Sequence, residues 1–225
     1  MVFDLQVHAL HEVEYLPTWQ AMKAFTAQRN DKTPDVIWVC QHNPVFTLGL
    51  AGKQSHILHR SPIPIIQTDR GGQVTYHGPG QLVVYPLLNL RRYGLKVREY
   101  VSLLEDCVLD VLTGCGLEHV QRQAGAPGVY VGWNIEAQRV QSVAEGGTLA
   151  KIAALGIKVQ RGFSYHGLAL NVDMNLEPFQ WINPCGYAGM HTVDLRLTGA
   201  KITTLAVEAV LVETLVRKLK ELCRD

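Results

Sequence analysis

The stretch RGGQVTYHGPGQLVVYPLLNL, residues 70–90, constrains the fold more than any other part of the chain. Glycines flank a short polar run, and a run rich in valine and leucine follows at once. Glycine permits tight turns and β-branched residues favour strands, so the segment reads as turn, short strand, turn, long strand. Phosphate-binding loops of similar composition do not fit. A P-loop continues from its last glycine into lysine and a hydroxyl residue, and a dinucleotide-binding turn opens a helix. Neither follows Gly78. The spacing leaves a tight hairpin, or a backbone kept bare so that a ligand can approach its N–H groups.

Three amphipathic helices are predicted. Tyr15, Trp19, Met22 and Phe25 recur at helical spacing, with Pro17 tolerable in a first turn. Val101, Leu104, Val108 and Val111 mark a second helix over 98–113, closed by Gly114. Val207, Leu211, Leu215, Leu219 and Leu222 form a third stripe, with Arg217, Lys218 and Lys220 near its C-terminal end. Strands are expected at 36–41, 81–90, 128–133, 151–159 and 166–172. Pro86 places the second of these at a sheet edge or a bulge. Residues 134–150 are polar and unpatterned and read as an extended hairpin or loop. Strands interrupted by helices and irregular glycine turns point to an α/β (α+β) domain, and with no linker or composition shift it is expected to span 1–225.

The remaining composition mostly excludes. Net charge is +1 over 225 residues, so nothing in bulk points to nucleic acid or to a membrane surface. No apolar run reaches the ~18 residues a bilayer span needs. Asp4, His8 and Glu12 interrupt the N-terminal segment, which therefore lacks a signal-peptide core, and a cytoplasmic location is expected. Five scattered cysteines without a C-x-x-C argue against both a disulfide scaffold and a zinc site.

Cys185 stands apart from the other four. In INPCGYAGM, Pro184 fixes the approach to the cysteine and Gly186 leaves the neighbouring backbone uncluttered, so that an N–H can face a developing oxyanion. Lys151 opens the apolar run KIAALGIKV. Apolar surroundings strip water from an ammonium, so a lowered Lys151 pKa is expected; a surface position for its head group is the alternative.

Taken together, RGGQVTYHGPGQLVVYPLLNL, APGVYVG, KIAALGIKV, HGLALNV and INPCGYAGM resemble the lipoyl(octanoyl) transferase family, and PVFTLGL (44–50) resembles its early strand and turn. The resemblance runs from about Tyr15 to His191. It implies a mixed sheet flanked by helices, as in biotin and lipoate protein ligases. It also implies transfer of an octanoyl group from octanoyl-acyl carrier protein to a lysine of lipoyl domains, in 2-oxoacid dehydrogenases and the glycine cleavage H protein. No cofactor, metal, nucleic acid or membrane is implied. By position, Cys185 matches the acyl-accepting nucleophile and Lys151 the lysine that activates it. Arg70, Gly71, Gly72, Gln73, Val74, Thr75, Tyr76 and His77 match a first substrate-binding block. Ala154, Leu155 and Gly156 match a second, and Gly167, Leu168 and Ala169 a third. Two departures stand out: Ala154 occupies a position that is often serine, and 134–150 is longer than the usual hairpin.

In that chemistry the incoming lysine needs a base, since only about one amine in 2,500 is neutral at pH 7. Lys151 as free amine is the first candidate, followed by His77 and His166. Small apolar residues in IAALG and HGLAL suit an acyl tunnel. The charge run Arg91, Arg92, Lys96 and Arg98 is either a solvated face or a docking surface for an acidic carrier. Lipoate protein ligases resemble R-R-x-S-G-G-G…H-D at the glycine block, whereas here Gly78 follows His77. An amidotransferase moving acyl groups between lipoyl domains would use similar cysteine–lysine chemistry.

Overall fold

The computed structural model describes residues 4–223. The first half of the chain contributes β1 (Leu5–Val13), α1 (Tyr15–Gln28), β2 (Asp35–His42), β3 (Val45–Leu48), β4 (Ile65–Gln67), β5 (Val74–His77), β6 (Gln81–Leu87) and α2 (Val97–Gly114). The second half adds β7 (Val120–Gln121), β8 (Gly128–Asn134), β9 (Arg139–Val140), β10 (Thr148–Gln160), β11 (Phe163–Asn171), β12 (His191–Thr192) and α3 (Thr204–Leu222). The main sheet is mixed, in the order β1-β2-β6-β11-β10-β8-β7, with β12 beside β10 and β9 beside β8. A small second sheet runs β4-β3-β5. Among the described residues no helix is long and apolar enough to cross a membrane.

Period-two alternation sends successive residues of each strand to opposite faces, and each face acquires its own cover. Ile37, Val39, Leu82, Val84 and Leu170 face α2 and α3, which bury Leu104, Val108, Val111, Leu211, Leu215 and Leu219 against them. Each such fully buried leucine contributes roughly 1.5–3 kcal/mol. Val36, Cys40, Val83, Tyr85 and Ala169 face α1, which supplies Met22. The small sheet has a third core of Phe46, Leu48, Val74, Tyr76 and Phe179. Of the expected α1 stripe, Tyr15 and Met22 are buried while Trp19 and Phe25 are half-buried. In α3 the stripe holds through Leu219, and Leu222 lies exposed at the frayed end.

Two expectations change. Pro86 does not lie on an edge: β6 is central, with Pro86 opposite Ile37 of β2. The ladder from β6 to β11 pairs Gln81–Val84 with Asn171–Leu168 and then breaks, resuming at the Asn89–Phe163 bridge. Beyond it His166 is left-handed, at φ 57°, and Ser164 bridges the Pro86 carbonyl and the Leu88 amide. The missing N–H of proline therefore falls where the ladder has already broken, as at a bulge. Strand β1 was not foreseen. It is a largely exposed edge strand with a register shift near His11, so it carries no clear alternation to read.

The glycine-rich stretch forms turn, strand, turn and strand as expected, although β5 is wholly buried rather than polar-faced. Gly80 closes the second turn at φ 84°, and a Cβ there would meet the Asp173 carbonyl oxygen at 1.7 Å. Its own carbonyl accepts from Val172 and Asp173 N–H. Gly80→Ala is expected to lower stability by roughly 1–3 kcal/mol, read as a lower urea midpoint at unchanged slope. An unchanged midpoint would mean that this turn relaxes freely.

Candidate active site

Lys151 sits in β10 opposite Tyr130 of β8, one residue before a register shift between these strands. Its side chain is buried at 4% exposure. The Nζ donates to Cys185 Sγ at 2.8 Å, to the Pro127 carbonyl oxygen at 3.0 Å and to Tyr130 Oη at 3.2 Å. Three donors meet three acceptors, the pattern of an ammonium. The chain brings Cys185 there by returning to β10, where β12 pairs in parallel with Ala150 and Lys151. Cys185 lies in a short turn at φ 57° and ψ 16°, strained for a non-glycine residue.

The expected lowering of the Lys151 pKa is reversed. Burial pulls it down and is the largest single influence, but the Cys185 sulfur and the Tyr130 hydroxyl push it up and together prevail. Lys151 is thus held protonated beside the sulfur. Cys40 and Cys107 are buried, with burial raising each thiol to about 12. The Gly186 N–H is also not free to meet an oxyanion, since it donates to the Asn183 carbonyl at 2.9 Å and closes the turn.

Two cavities converge on Cys185. The inner one is lined by Tyr15, Arg70, Gly72–Thr75, His77, Val83, Tyr85, Ala154–Gly156 and His166–Ala169. The outer groove shares Gly72, Gln73, Leu155, Gly156 and Cys185 with it and extends past Gly71, Ile157 and Val101 to Gly125–Pro127 and Tyr187. Gly125, Pro127 and Tyr187 are exposed, so the groove opens to solvent. All three expected binding blocks thus meet at one place. Tyr76 is the exception. In β5 it alternates away from its neighbours and packs on Phe46 and Phe179 in the small sheet. Gly71 borders only the outer groove. Tyr15, Val83 and Tyr85 also line the inner cavity although only their helical or strand patterning marked them. Pro127 and Tyr130 hold Lys151 from APGVYVG, a block recognisable only as a family resemblance.

Arg70 forms part of the wall and also holds it together. Its guanidinium donates to Thr47 O at 2.7 Å, Gly71 O at 2.8 Å and Gln73 O at 2.7 Å, tying the first glycine turn to β3. The charge run at 91–99 is partly structural in the same way. Arg92 donates to Thr33 O and pairs with Asp35, while Arg91 pairs with Asp31 and lies over Phe163.

Burial lowers the pKa of both histidines expected as alternative bases. Gln81 Nε2 donates to Tyr76 O and Asn171 Oδ1, so its Oε1 is the acceptor facing His77 Nδ1–H at 2.7 Å. Burial, with His42 nearby, lowers His77 to about 3. His166 Nε2–H donates to Asp69 at 3.0 Å; burial lowers its pKa and Asp69 only partly restores it. Asp69 also accepts from Trp19 Nε1 at 2.8 Å and Tyr165 Oη at 2.6 Å. These bonds outweigh burial and keep its carboxyl well below the usual range.

The inner cavity and the outer groove meet at a cysteine–lysine pair. The sequence matches the lipoyl protein ligase A/B catalytic domain over residues 14–216, and the chain belongs to that family. It is 52% identical over 208 residues to a protein of Bordetella petrii named octanoyltransferase, covering 92% of this chain and 93% of that one. A protein of the same name from Albidiferax ferrireducens is 50% identical, covering 88% of this chain and 90% of its own. The fold is that of lipoate and biotin protein ligases. A bi-partite lipoate protein ligase from Thermoplasma acidophilum superposes with a TM-score of 0.71 at 11% identity, covering 99% of this chain and 91% of that one. A biotin protein ligase from Aquifex aeolicus superposes at 0.56 with 13% identity, covering 98% and 72%.

The buried histidines set an acid limit. His42, lowered by burial to about 4, and His77 both stay neutral in the fold, while the unfolded chain protonates histidine near 6.5. Below that pH the unfolded state takes up protons the native state refuses, so stability falls from about pH 6.5 towards pH 4. Urea midpoints measured across this window are expected to drop, with a shallower fall in His77→Gln. Identical slopes in the two proteins would show that His77 does not contribute.

Proposed function

We propose that this chain transfers an octanoyl group from an acyl carrier protein thioester to a specific lysine of lipoyl domains, including those of 2-oxoacid dehydrogenases and the glycine cleavage H protein, through a thioester on Cys185. The observation that carries this reading is the Lys151 ammonium donating to Cys185 Sγ at 2.8 Å where two cavities meet. Such a pair suits attack by sulfur as the thiolate. Relatives named octanoyltransferase, at about half identity over most of the chain, support the acyl group named.

The protons balance as follows. The Cys185 thiolate attacks the donor thioester carbon, and the tetrahedral adduct collapses to acyl-Cys185. The departing carrier thiolate takes a proton from Lys151, leaving a neutral amine. Sulfur is then a neutral thioester, so the charge that raised the Lys151 pKa is gone and burial, which lowers it, dominates. Lys151 can now take a proton from the acceptor ammonium. The freed amine attacks the acyl carbon, Cys185 leaves as thiolate, and the second amine proton passes to solvent. Lys151 thus serves as acid in the first half and as base in the second.

The inner cavity suits the alkyl chain. Seven methyl or methylene groups beyond the carbonyl gain about 0.8 kcal/mol each when buried. Ala169, at 4% exposure beside Tyr85 and Val83, is one wall. Ala169→Leu is expected to shift the preference from octanoyl towards hexanoyl donors, read as a ratio of kcat/KM values. An unchanged ratio would place the chain elsewhere.

The decisive experiment mixes the protein with octanoyl-acyl carrier protein without ATP and looks by mass spectrometry for a hydroxylamine-labile octanoyl adduct on Cys185. Lys151→Arg keeps a cation beside sulfur but removes a usable base. It is expected to acylate, the carrier thiolate then taking its proton from solvent, yet to transfer to a lipoyl domain at least 100-fold more slowly. Normal transfer would remove Lys151 as the base. The shared fold favours one rival, an ATP-dependent ligase, which activity requiring ATP and surviving Cys185→Ser would select. Activity from an octanoylated H protein but not from the carrier would select an amidotransferase.

A further inference from the structure

Between Asp35 and Asp69 the chain contains no carboxylate, yet Lys53, His56, His59 and Arg60 lie there, all in one loop. That loop is stitched to the segment carrying Cys185. The His56 carbonyl accepts from Asn183 N–H at 2.8 Å, Leu58 N–H donates to the Trp181 carbonyl at 2.7 Å, and Ile57 bridges Ile182. On its other side Lys53 N–H donates to the Gln73 side chain, which lines both cavities. Lys53, His59 and Arg60 are exposed, and among the described residues neither Lys53 nor Arg60 forms an ion pair. Leu50 and Leu58, 63% and 49% exposed, add apolar surface between the charges. The facing segment, residues 174–193, brings one carboxylate, Glu177, and one further histidine, His191.

We infer that this rim, rather than the run at 91–99, is the docking surface for the donor: an acidic protein that presents its acyl thioester on a flexible arm. The inference rests on the acyl-transfer reading above. An acceptor offers its amine at the end of one side chain, so its backbone must come up to Cys185 itself. A donor whose thioester hangs on an arm can rest its body to one side, and the loop lies there, hooked to residues 181–183 at the entry to the cysteine turn. Opposed charge across such a rim steers encounter and raises the on-rate. In contrast, Arg91 and Arg92 already spend their charge on Asp31 and Asp35.

The test compares Lys53→Glu/Arg60→Glu with the unaltered chain. Cys185 acylation is measured from octanoyl-acyl carrier protein and from octanoyl-pantetheine, an uncharged thioester without a protein body. Transfer from pre-acylated enzyme to a lipoyl domain is measured separately. The expected result is at least a tenfold loss of kcat/KM with the carrier at low salt, no change with octanoyl-pantetheine, and no change in the transfer half. The difference between the two proteins should shrink as salt shortens the screening length. The neutral pair Lys53→Gln/Arg60→Gln should lose an intermediate amount, with thermal midpoints confirming that both variants fold. Equal losses with both donors would mean a disturbed cysteine and overturn the inference. So would an undiminished rate with the carrier. Loss confined to the transfer half would assign the rim to the acceptor instead. Failure of the unaltered chain to acylate from either donor would bring down the acyl-transfer reading, and the inference with it.

Discussion

The structure is organised around an ammonium taken out of water. Removing a charge from solvent costs several kcal/mol unless good partners replace it. Lys151 finds its partners in a carbonyl from the turn before β8, a phenol on β8 and a sulfur from the far end of the chain. Two partners come from one block and the third from a stretch 34 positions beyond Lys151, so satisfying one cation fixes β8, β10 and the 183–186 turn relative to one another. Under the proposed chemistry the same demand serves reactivity, because the partner this cation favours is the attacking sulfur.

Arg70 solves a related problem differently. It is a second buried cation beside the same cavity, but its close partners are carbonyls and a hydroxyl rather than a carboxylate. It therefore stiffens the glycine turn without adding a negative charge that would compete with sulfur for Lys151. Asp69, the neighbouring carboxylate, is turned away and saturated by Trp19, Tyr165 and His166. Charge near the sulfur is thereby kept to a single sign, set by lysine.

Much of this was legible in residue order. Gly71, Gly72, Gly78 and Gly80 announced two turns with a strand between them, and what followed excluded the phosphate motifs. The leucine spacing of α3 announced its buried face. Other features depend on contacts between residues distant in sequence. Apolar neighbours of Lys151 are visible in KIAALGIKV, so its desolvation was foreseeable. The sulfur that reverses the sign of the shift lies 34 positions on. His77 and His166 looked titratable because their burial and their partners, Gln81 and Asp69, come from tertiary packing. Pro86 pointed to an edge or a bulge, and the choice between them was not legible because a break in a neighbouring ladder leaves no mark on its own strand. Tyr76 is the one misplacement that was avoidable, since alternation along β5 already pointed it away from His77.

The two cavities share one sulfur and the same glycine-lined threshold. Under the proposed chemistry the acyl chain stays lodged in the inner one while proteins come and go through the outer. The donor's arm and the acceptor's lysine then cannot fill that threshold together, and each must vacate before the other enters. Throughput would follow the ratio of the two proteins as well as their separate affinities. A surplus of discharged carrier would hold back the waiting acceptor merely by standing in the doorway.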